Sequence, residues 1–385
     1  MRPICLTRPV FLAAVVAAQG CAVWAAHRTD PGAFLFGDSG VYAAAADSLL
    51  RDGDLDLLNQ CYPGRATLAD ALPELEGPHS AEFGLSKHGT LTIKQSPVLA
   101  LAALPFYAVL GPAGFLAFNL VVLTLLLTGV AELAGGPGGR AAALLLLVTT
   151  PLIRFAFNYS PDLFLTALLV GALLAARAGR PLGCGLLLGL AVGGKVYVIA
   201  LALPVALVAV AAARPWWRAA ALGVLGGVVG LAPGAAFNAW QFGSPWATGY
   251  ERELAVDHGT VGIARHTDRF TQPPLDGLSN LLFDADLGLI PTAPLWLLAL
   301  PGAAWLVLGE RRGWAAAAAG VLVMNFALFA TYDGWHSGTA IGNRYLFPAL
   351  ACGFGLIGAV ANSAGRRCCA QDAGRAAGHC ENPPG

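Results

Sequence analysis

Long apolar runs recur along most of this sequence and constrain its fold more than any other feature. Runs of about 17 to 25 residues are long enough to cross the roughly 30 Å hydrocarbon core of a membrane as helices. Only 12% of the 385 residues are charged, about half the share of a typical soluble protein. We therefore predict an all-α, polytopic helix bundle of about ten spans, near residues 10–27, 114–134, 141–157, 162–176, 182–194, 196–213, 219–238, 290–308, 314–331 and 345–362.

Two longer polar stretches interrupt the apolar runs, at residues 28–113 and 239–289. Within the first, the segments 41–50 and 96–110 are expected to be helices on the membrane surface, since 41–50 has helical amphipathic spacing. Neither stretch has enough apolar sequence for a core of its own. We predict that both cap one transmembrane domain, residues 1–363, which a disordered cytoplasmic tail follows at 364–385.

The pair of runs at 182–194 and 196–213 has two interpretations. The first of these runs is short and rich in glycine, so the pair is either two spans or one broken, re-entrant element.

The arginines predict the orientation, because short cytoplasmic loops are enriched in Lys and Arg. If the N-terminus is inside and 96–110 stays on the surface, the arginines of the short loops and of the tail fall in the cytoplasm, namely Arg140, Arg177, Arg180, Arg214, Arg218, Arg311, Arg312, Arg366 and Arg367. Most of the 23 acidic residues and all the lysines then lie outside. We therefore predict a multi-pass protein of the cytoplasmic membrane, with both termini cytoplasmic and its chemistry on the outer face. The net charge of zero gives no support for a nucleic-acid partner.

Two acidic residues near the outer ends of spans are candidates for catalysis. Asp38 follows the first span and is either a general base near the membrane surface or the N-cap of the helix after it. Asp162 stands in FNYSPDLF and is likewise either a helix cap or a functional carboxylate. Arg154 lies in an apolar stretch, where an ionisable side chain is costly and marks a functional site with a partner. Asp162 or a lipid phosphate is the expected partner.

Basic and aromatic residues mark a second set of candidates. His88 and Lys94 lie at the entry to the surface helix, which fits either a phosphate site or a general attraction to anionic lipid. The loop TYDGWHSGTAIGNRYLFP suits recognition of a sugar or pyrophosphate. It contains Asp333, Trp335, His336 and Arg344.

The sequence gives little support for a metal site. Asp52, Asp54 and Asp56 alternate as in a calcium loop, but Leu57 and Pro63 stand where the EF-hand needs glycine and glutamate. Asp284 and Asp286 form an Asp-x-Asp pair, which is a weak and frequent pattern. A divalent metal at this pair stays open, and no other cofactor is expected.

Several of these segments resemble one family. GDSGVYAAAADSLLRDGDLDLLNQ after the first span is similar to the first outer loop of GT-C superfamily glycosyltransferases, especially bacterial relatives of the aminoarabinose-lipid A transferase and the protein O-mannosyltransferases. KHGTLTIKQSPVLALAALPFYAVLG looks like the second juxtamembrane helix of that family. NYSPDLFLTALL and DGWHSGTAIGNRYLFPAL resemble further segments of bacterial members.

This resemblance implies transfer of a sugar from a polyprenyl-phosphate donor to an acceptor on the extracytoplasmic side, next to membrane lipid. Asp38 is then the expected base and Asp162 a supporting carboxylate. The main alternative is a membrane transporter or lipid flippase, which needs polar residues along a path at mid-membrane depth. A noncatalytic assembly protein is a third alternative. The expected ligand contacts are Lys94, Arg344, Arg154 and His88 for the donor phosphate, and Tyr42, Trp335, His336 and Asp333 for the sugar or acceptor.

Overall fold

The protein is predominantly helical. The computed structural model describes residues 6–29, 38–76, 82–257, 259–264, 269–308, 312–336 and 342–378. The α-helices are α1 (Arg8–Thr29), α2 (Asp38–Arg51), α3 (Leu58–Cys61), α4 (Leu68–Leu75), α5 (Val98–Leu110), α6 (Ala113–Ala134), α7 (Gly136–Thr149), α8 (Asp162–Arg177), α9 (Pro181–Gly194), α10 (Val198–Ala211), α11 (Trp216–Phe242), α12 (Pro274–Phe283), α13 (Leu289–Thr292), α14 (Ala299–Leu308), α15 (Arg312–Phe329) and α16 (Phe347–Gly378).

Short 3-10 helices connect several of these elements. They lie at Pro151–Phe157, Gly249–Glu251, Pro294–Leu298 and Arg344–Leu346.

Helix length and composition identify an integral membrane protein. Among the described residues, four helical segments are long and apolar enough to cross a membrane, and the bent pair Gly136–Thr149 and Pro151–Phe157 makes a fifth if it is one span. Five apolar helices are shorter, between 10 and 17 residues. The polytopic helical bundle is confirmed, whereas the number of about ten spans stays a prediction. The four long segments are Arg8–Arg28, Ala113–Ala134, Trp216–Phe242 and Arg344–Ala364.

The surface helix predicted at 96–110 is α5. With 13 residues it is about 20 Å long, short of the hydrocarbon thickness. The glycine-rich run near 182–194 forms α9, and α10 follows after three residues. Helix α9 packs mainly against α11 and α8, whereas α10 packs mainly against α15. The two are separate helices with different neighbours.

A small antiparallel sheet joins the two polar stretches, and the all-α prediction did not include it. Its strands are β1 (Phe83–Leu85), β2 (Leu91–Ile93), β3 (Glu253–Asp257) and β4 (Thr260–Ala264), in the order β2-β1-β3-β4. Gly84 pairs with Glu253 across the central strands. The polar stretches therefore form one layer over one end of the bundle. Their assignment to a single domain, and the boundary of the tail, stay predictions.

Opposite ends of the bundle carry different charged groups. Helix α8 begins with Asp162 and ends with Arg177, whose guanidinium donates to the Glu132 carbonyl at 3.1 Å. Glu132 also pairs with Arg8, at 2.6 Å. The sheet lies at the other end, where α8 begins. This segregation agrees with the predicted orientation, which itself stays a prediction.

Glycines bring α9 and α11 into close contact. A Cβ at Gly185 would lie 2.0 Å from the carbonyl oxygen of Gly223, and one at Gly189 would lie 2.2 Å from that of Gly227. Both pairs are offset by the same number of residues, so the helices run parallel. Spacing of small residues by four permits such close backbone contact in membrane helices.

Adding a methyl group tests this packing. A Cβ at Gly230 would lie 2.2 Å from the Leu186 carbonyl oxygen, whereas one at Gly227 would meet its nearest neighbour at 3.9 Å. We expect Gly230→Ala to lower the free energy of unfolding by about 1–3 kcal/mol, because the helices must separate. Gly227→Ala, the matched control, should be neutral or stabilising by up to about 1 kcal/mol through helix propensity. Thermal unfolding in detergent micelles measures both, and equal midpoints would contradict the packing.

Candidate functional site

Asp162 is a carboxylate buried at the end of the bundle. Its side chain is 2% exposed, and the Lys195 ammonium donates to its two oxygens at 2.9 and 3.1 Å. The Tyr197 hydroxyl donates at 2.8 Å, and Arg344 Nε lies 3.5 Å from the second oxygen. A buried charge is tolerated only when it is paired and hydrogen-bonded. These partners hold Asp162 ionised.

Three distant segments of the chain supply this cluster. Asp162 is the first residue of α8, after Pro161, where a carboxylate is favoured by the helix dipole. Lys195 and Tyr197 lie in the connection between α9 and α10. Arg344 begins the 3-10 helix before α16. The cluster therefore fixes three parts of the bundle relative to one another.

Aromatic rings surround the cations. The Lys195 ammonium lies 5.6 Å from the ring centre of Tyr197 and 5.4 Å from that of Tyr345. The Arg344 guanidinium lies 5.7 Å from the Tyr345 ring, which stacks on Phe329 at 4.5 Å. Cations are attracted to aromatic faces at these distances. The rings thus supply a partly apolar wall that still favours positive charge.

A second buried ion pair links the sheet to the first polar stretch. Lys94 Nζ lies 3.1 Å from Glu253 Oε2, and their side chains are 11% and 4% exposed. Arg269, which is half exposed, lies 3.8 Å from the other oxygen of Glu253. Lys94 also lies 6.0 Å from the ring of Tyr250. The β1–β3 pairing brings these chain-distant residues together.

Tyrosines connect the two ion-pair clusters. Tyr197 lies near Tyr250, and Tyr332 lies near both Arg269 and Lys195. Burial raises the pKa of the Tyr332 phenol well above its ordinary value, so this hydroxyl stays protonated. The charged side chains form one connected charge network. It consists of Lys94, Lys195, Arg269 and Arg344 with Asp162 and Glu253.

The charge network has more cations than carboxylates. Among the side chains that the structure describes there, four basic ones face two acidic ones, an excess of two positive charges. In a partly buried site this excess favours a doubly charged anion such as a phosphate monoester.

The backbone of Asp38 lies close to this network. Helix α2 begins at Asp38, and the next residue, Ser39, accepts a hydrogen bond from the Tyr159 backbone N–H at 3.0 Å. Tyr159 is three residues before Asp162. The side chain of Asp38 lies outside the described part of the structure, so its assignment as a base stays a prediction.

Two predicted phosphate ligands are exposed, unlike Lys94 and Arg344. Arg154 is exposed on the 3-10 helix after α7. The structure corrects the suggestion that it pairs with Asp162, because Lys195 and Arg344 occupy that carboxylate. His88 is exposed in the turn between β1 and β2. Tyr42, a predicted sugar contact, is fully buried in the core.

Three further predicted residues lie in the loop before α16. Asp333 is exposed and accepts a hydrogen bond from the Thr271 hydroxyl at 2.6 Å. The Trp335 carbonyl accepts from the Asn343 amide at 2.6 Å, so the loop is tied to the residue before Arg344. His336 is exposed beside the Trp335 ring. Their roles in binding stay predictions.

The Asp-x-Asp pair forms a local turn. Asp284 Oδ1 accepts from the backbone N–H groups of Asp286 and Leu287, at 3.1 and 2.9 Å, at the end of α12. Such Asx turns are a common way to leave a helix. No group of three metal-ligating side chains occurs in the described part of the chain.

Sequence reasoning missed Lys195, Tyr197, Glu253 and Arg269. Lys195 had a usable signal, since it is the single charged residue between Pro181 and Ala213. An ionisable residue between two apolar runs is a functional candidate by default. Glu253 and Arg269 carried no comparable signal, because their partners are set by the sheet.

Fold and site together define a polytopic membrane protein with a cationic site at one end of its helix bundle. No protein-family model matches the sequence, and no curated protein sequence matches it significantly.

Among solved structures, the chain is similar to ArnT from Cupriavidus metallidurans. With ArnT bound to undecaprenyl phosphate the TM-score is 0.58, at 15% identity, over 91% of this chain and 59% of ArnT. With ArnT in the apo state it is 0.54, at 16% identity, over 91% and 58%. The predicted resemblance is thus confirmed at the level of the fold, and the chain spans less than two thirds of ArnT.

A double-mutant cycle tests the pairing of Asp162 with Lys195. We expect Lys195→Met alone to lower the free energy of unfolding by about 3 kcal/mol, because it leaves a buried carboxylate short of a partner. In an Asp162→Asn background the same change should cost much less, with a coupling energy of about 1–3 kcal/mol. Unfolding in detergent, followed by tryptophan fluorescence, measures the cycle. Lys87→Met, at an exposed lysine, is the matched control, and additive effects would argue against the pair.

Proposed function

We propose that this protein is a membrane glycosyltransferase that uses a polyprenyl-phosphate-linked sugar donor. The observation that carries the proposal is the charge network at one end of an ArnT-like bundle, where the described side chains include two more cations than carboxylates. ArnT has been solved with undecaprenyl phosphate bound. A lipid with one charged phosphate and a long hydrocarbon tail matches a site where a cationic cluster adjoins membrane helices.

Lys94 and Arg344 are the proposed ligands of the donor phosphate. Both are nearly buried, so their charges are only weakly screened by solvent. Each belongs to a different ion pair, and a phosphate between them would share their charge with Glu253 and Asp162. Lys195 holds Asp162 in place, and the tail of the donor stays in hydrocarbon.

The proposed reaction is a displacement at the anomeric carbon of the donor sugar. The acceptor hydroxyl oxygen forms a bond to the anomeric carbon, while the bond between that carbon and the phosphate oxygen breaks. Polyprenyl phosphate leaves with the electron pair, and the hydroxyl proton passes to a base. Asp162 is a poor base, since two cations stabilise its ionised form. Asp38 is therefore the proposed base, and Asp162 positions the cations.

We further propose that this site lies on the extracytoplasmic face of the cytoplasmic membrane. Support comes from the loop arginines, which collect at the opposite end of the bundle near Arg177 and Arg8.

A transporter needs polar residues along a path through the bundle, and the buried Asn119 and Asn325 instead make structural contacts. The Asn119 amide donates to the carbonyls of Ala156 and Asn158, both at 3.1 Å. The Asn325 amide donates to the Tyr345 carbonyl at 3.0 Å. These amides stabilise the irregular segments that carry the site, which favours the transferase.

A transfer assay tests the proposed base. Purified protein in nanodiscs is incubated with a panel of undecaprenyl-phosphate sugars and a mixture of hydroxyl acceptors. We expect Asp38→Asn to reduce transfer by about 10²–10⁴-fold, because a general base contributes an acceleration of this size. Asp276→Asn, at an exposed carboxylate on α12, should leave transfer unchanged. Equal rates for Asp38→Asn and the native protein would remove Asp38 from this role.

Binding of undecaprenyl phosphate tests the phosphate site separately. We expect Lys94→Gln and Arg344→Gln each to weaken binding about tenfold or more, since a hydrogen bond to a charged group contributes about 1.5–3 kcal/mol. His88→Gln, at an exposed residue of the β1–β2 turn, should change it little. Quenching of intrinsic fluorescence in nanodiscs gives the affinities. A native protein that shows no preference for undecaprenyl phosphate over an uncharged polyprenol would refute the proposed function.

A further inference from the structure

An open groove lies on the side of α2 that faces away from the core. Its volume is about 700 Å³, and α2, α3, α4, β1 and α5 border it. This volume is in the range of small-molecule sites. Along α2, the residues Gly40, Ala44, Asp47 and Arg51 recur at helical spacing and line one wall. We call this cavity the α2 groove.

The wall of the α2 groove near the start of the helix has almost no side-chain bulk. Gly40 and Ala44 expose helix backbone and methyl groups there. Tyr62 and Tyr107 line other parts of the groove and present aromatic surface. A flat face with aromatic rings opposite suits a ring-shaped ligand such as a sugar residue.

Side-chain oxygens in the lining of the α2 groove lack a hydrogen-bond partner within the described ranges. Arg51 Nε lies 2.9 Å from Asp47 Oδ1, and the Tyr107 hydroxyl donates to the same oxygen at 3.2 Å. The other oxygen of Asp47 has no partner among the described residues. The side-chain oxygen of Gln60 is likewise buried without a partner in the described part of the chain. Both residues line the groove, and Asp47 can accept hydrogen bonds from a ligand there.

The charge of the groove is opposite to that of the charge network. Its lining includes the carboxylates of Asp47, Glu74 and Glu82 and one guanidinium, that of Arg51. Among the described residues, Arg65 pairs with Glu74 from beside the groove, and Arg51 pairs with Asp47 within it. Burial, together with Glu82, raises the pKa of the Cys61 thiol to about 12, so this lining residue is uncharged. A phosphate is therefore repelled from the α2 groove, and hydroxyl or amine groups are favoured.

We infer that the α2 groove binds the acceptor, and that this acceptor is a saccharide that is neutral or carries amines. The inference rests on the proposed function, which requires an acceptor hydroxyl near Asp38. The groove begins at Gly40, which lies in the same first turn of α2 as Asp38. A saccharide fits better than a peptide, because each sugar ring offers several hydroxyl donors to dispersed carboxylates such as those of Asp47 and Glu74.

Direct binding tests this inference without any sugar donor. Full-length protein in nanodiscs is titrated with maltotetraose, with the tetramer of glucosamine and with sulfated maltotetraose. Ligand-observed NMR gives the affinities. We expect the first two to bind and the sulfated sugar to bind at least tenfold more weakly. A serine- and threonine-rich peptide serves as the competing acceptor class.

Two variants assign the binding to the groove. Ala44→Phe fills the flat wall, and Asp47→Asn removes a carboxylate without adding bulk. Each should weaken the binding of the amine-bearing tetramer at least tenfold. Ala221→Phe, on the exposed side of α11, and Asp276→Asn are the matched controls and should bind as the native protein does. Affinity for undecaprenyl phosphate should be the same in all four variants, which also shows that they fold.

The outcomes separate this inference from the proposed function. The inference is wrong if no saccharide binds, if the sulfated sugar or the peptide binds as well as the amine-bearing tetramer, or if both groove variants bind normally. None of these results affects the binding of undecaprenyl phosphate to the charge network. Conversely, failure to bind undecaprenyl phosphate would refute the proposed function while saccharide binding in the groove remained measurable.

Discussion

The burial of Asp162 as a charged group is the constraint on which this end of the bundle depends. A lone carboxylate at this depth would be prohibitively costly, so the cations of Lys195 and Arg344 must stay within reach in the folded state. Because these residues come from three distant segments, their electrostatic attraction fixes the start of α8, the α9–α10 connection and the start of α16. Aromatic rings around the cations exclude water and strengthen the same interaction.

Close packing of α9 with α11 connects this cluster to the sheet. Helix α9 ends one residue before Lys195, and its glycines hold it against α11. At the end of α11, the Gln241 carbonyl accepts a hydrogen bond from the Lys87 backbone N–H at 2.7 Å. The backbone at Gly249 then passes so close to Lys94 that a Cβ there would lie 2.3 Å from the Lys94 carbonyl oxygen. One helix pair thus positions both lysines that pair with buried carboxylates.

Much of the helical framework could be predicted from sequence, because a membrane helix depends on its own apolar composition. Each predicted run overlaps an observed helix. The sequence left open whether 182–213 is one broken element or two, and the different neighbours of α9 and α10 show two separate helices. Asp162 and Arg344 were also found, since charged residues beside apolar runs stand out. The sheet was not, because strands of three to five residues carry almost no periodic signal. Glu253 and Arg269 acquire their partners only through that sheet, so no local pattern could reveal them.

The opposite charges of the charge network and the α2 groove have a consequence for any transfer reaction at this site. As the bond between sugar and phosphate breaks, negative charge grows on the phosphate, and stabilisation must lie on that side. The charge network supplies it, with Lys94 and Arg344 nearly buried. An acceptor hydroxyl develops positive charge as it attacks and loses its proton, so it is favoured near carboxylates such as Asp47. Helix α2 lies between the two regions: Ser39 contacts the loop before Asp162, and Gly40 opens the groove. The first turn of α2 is therefore the place where both reactants can meet without sharing a binding surface.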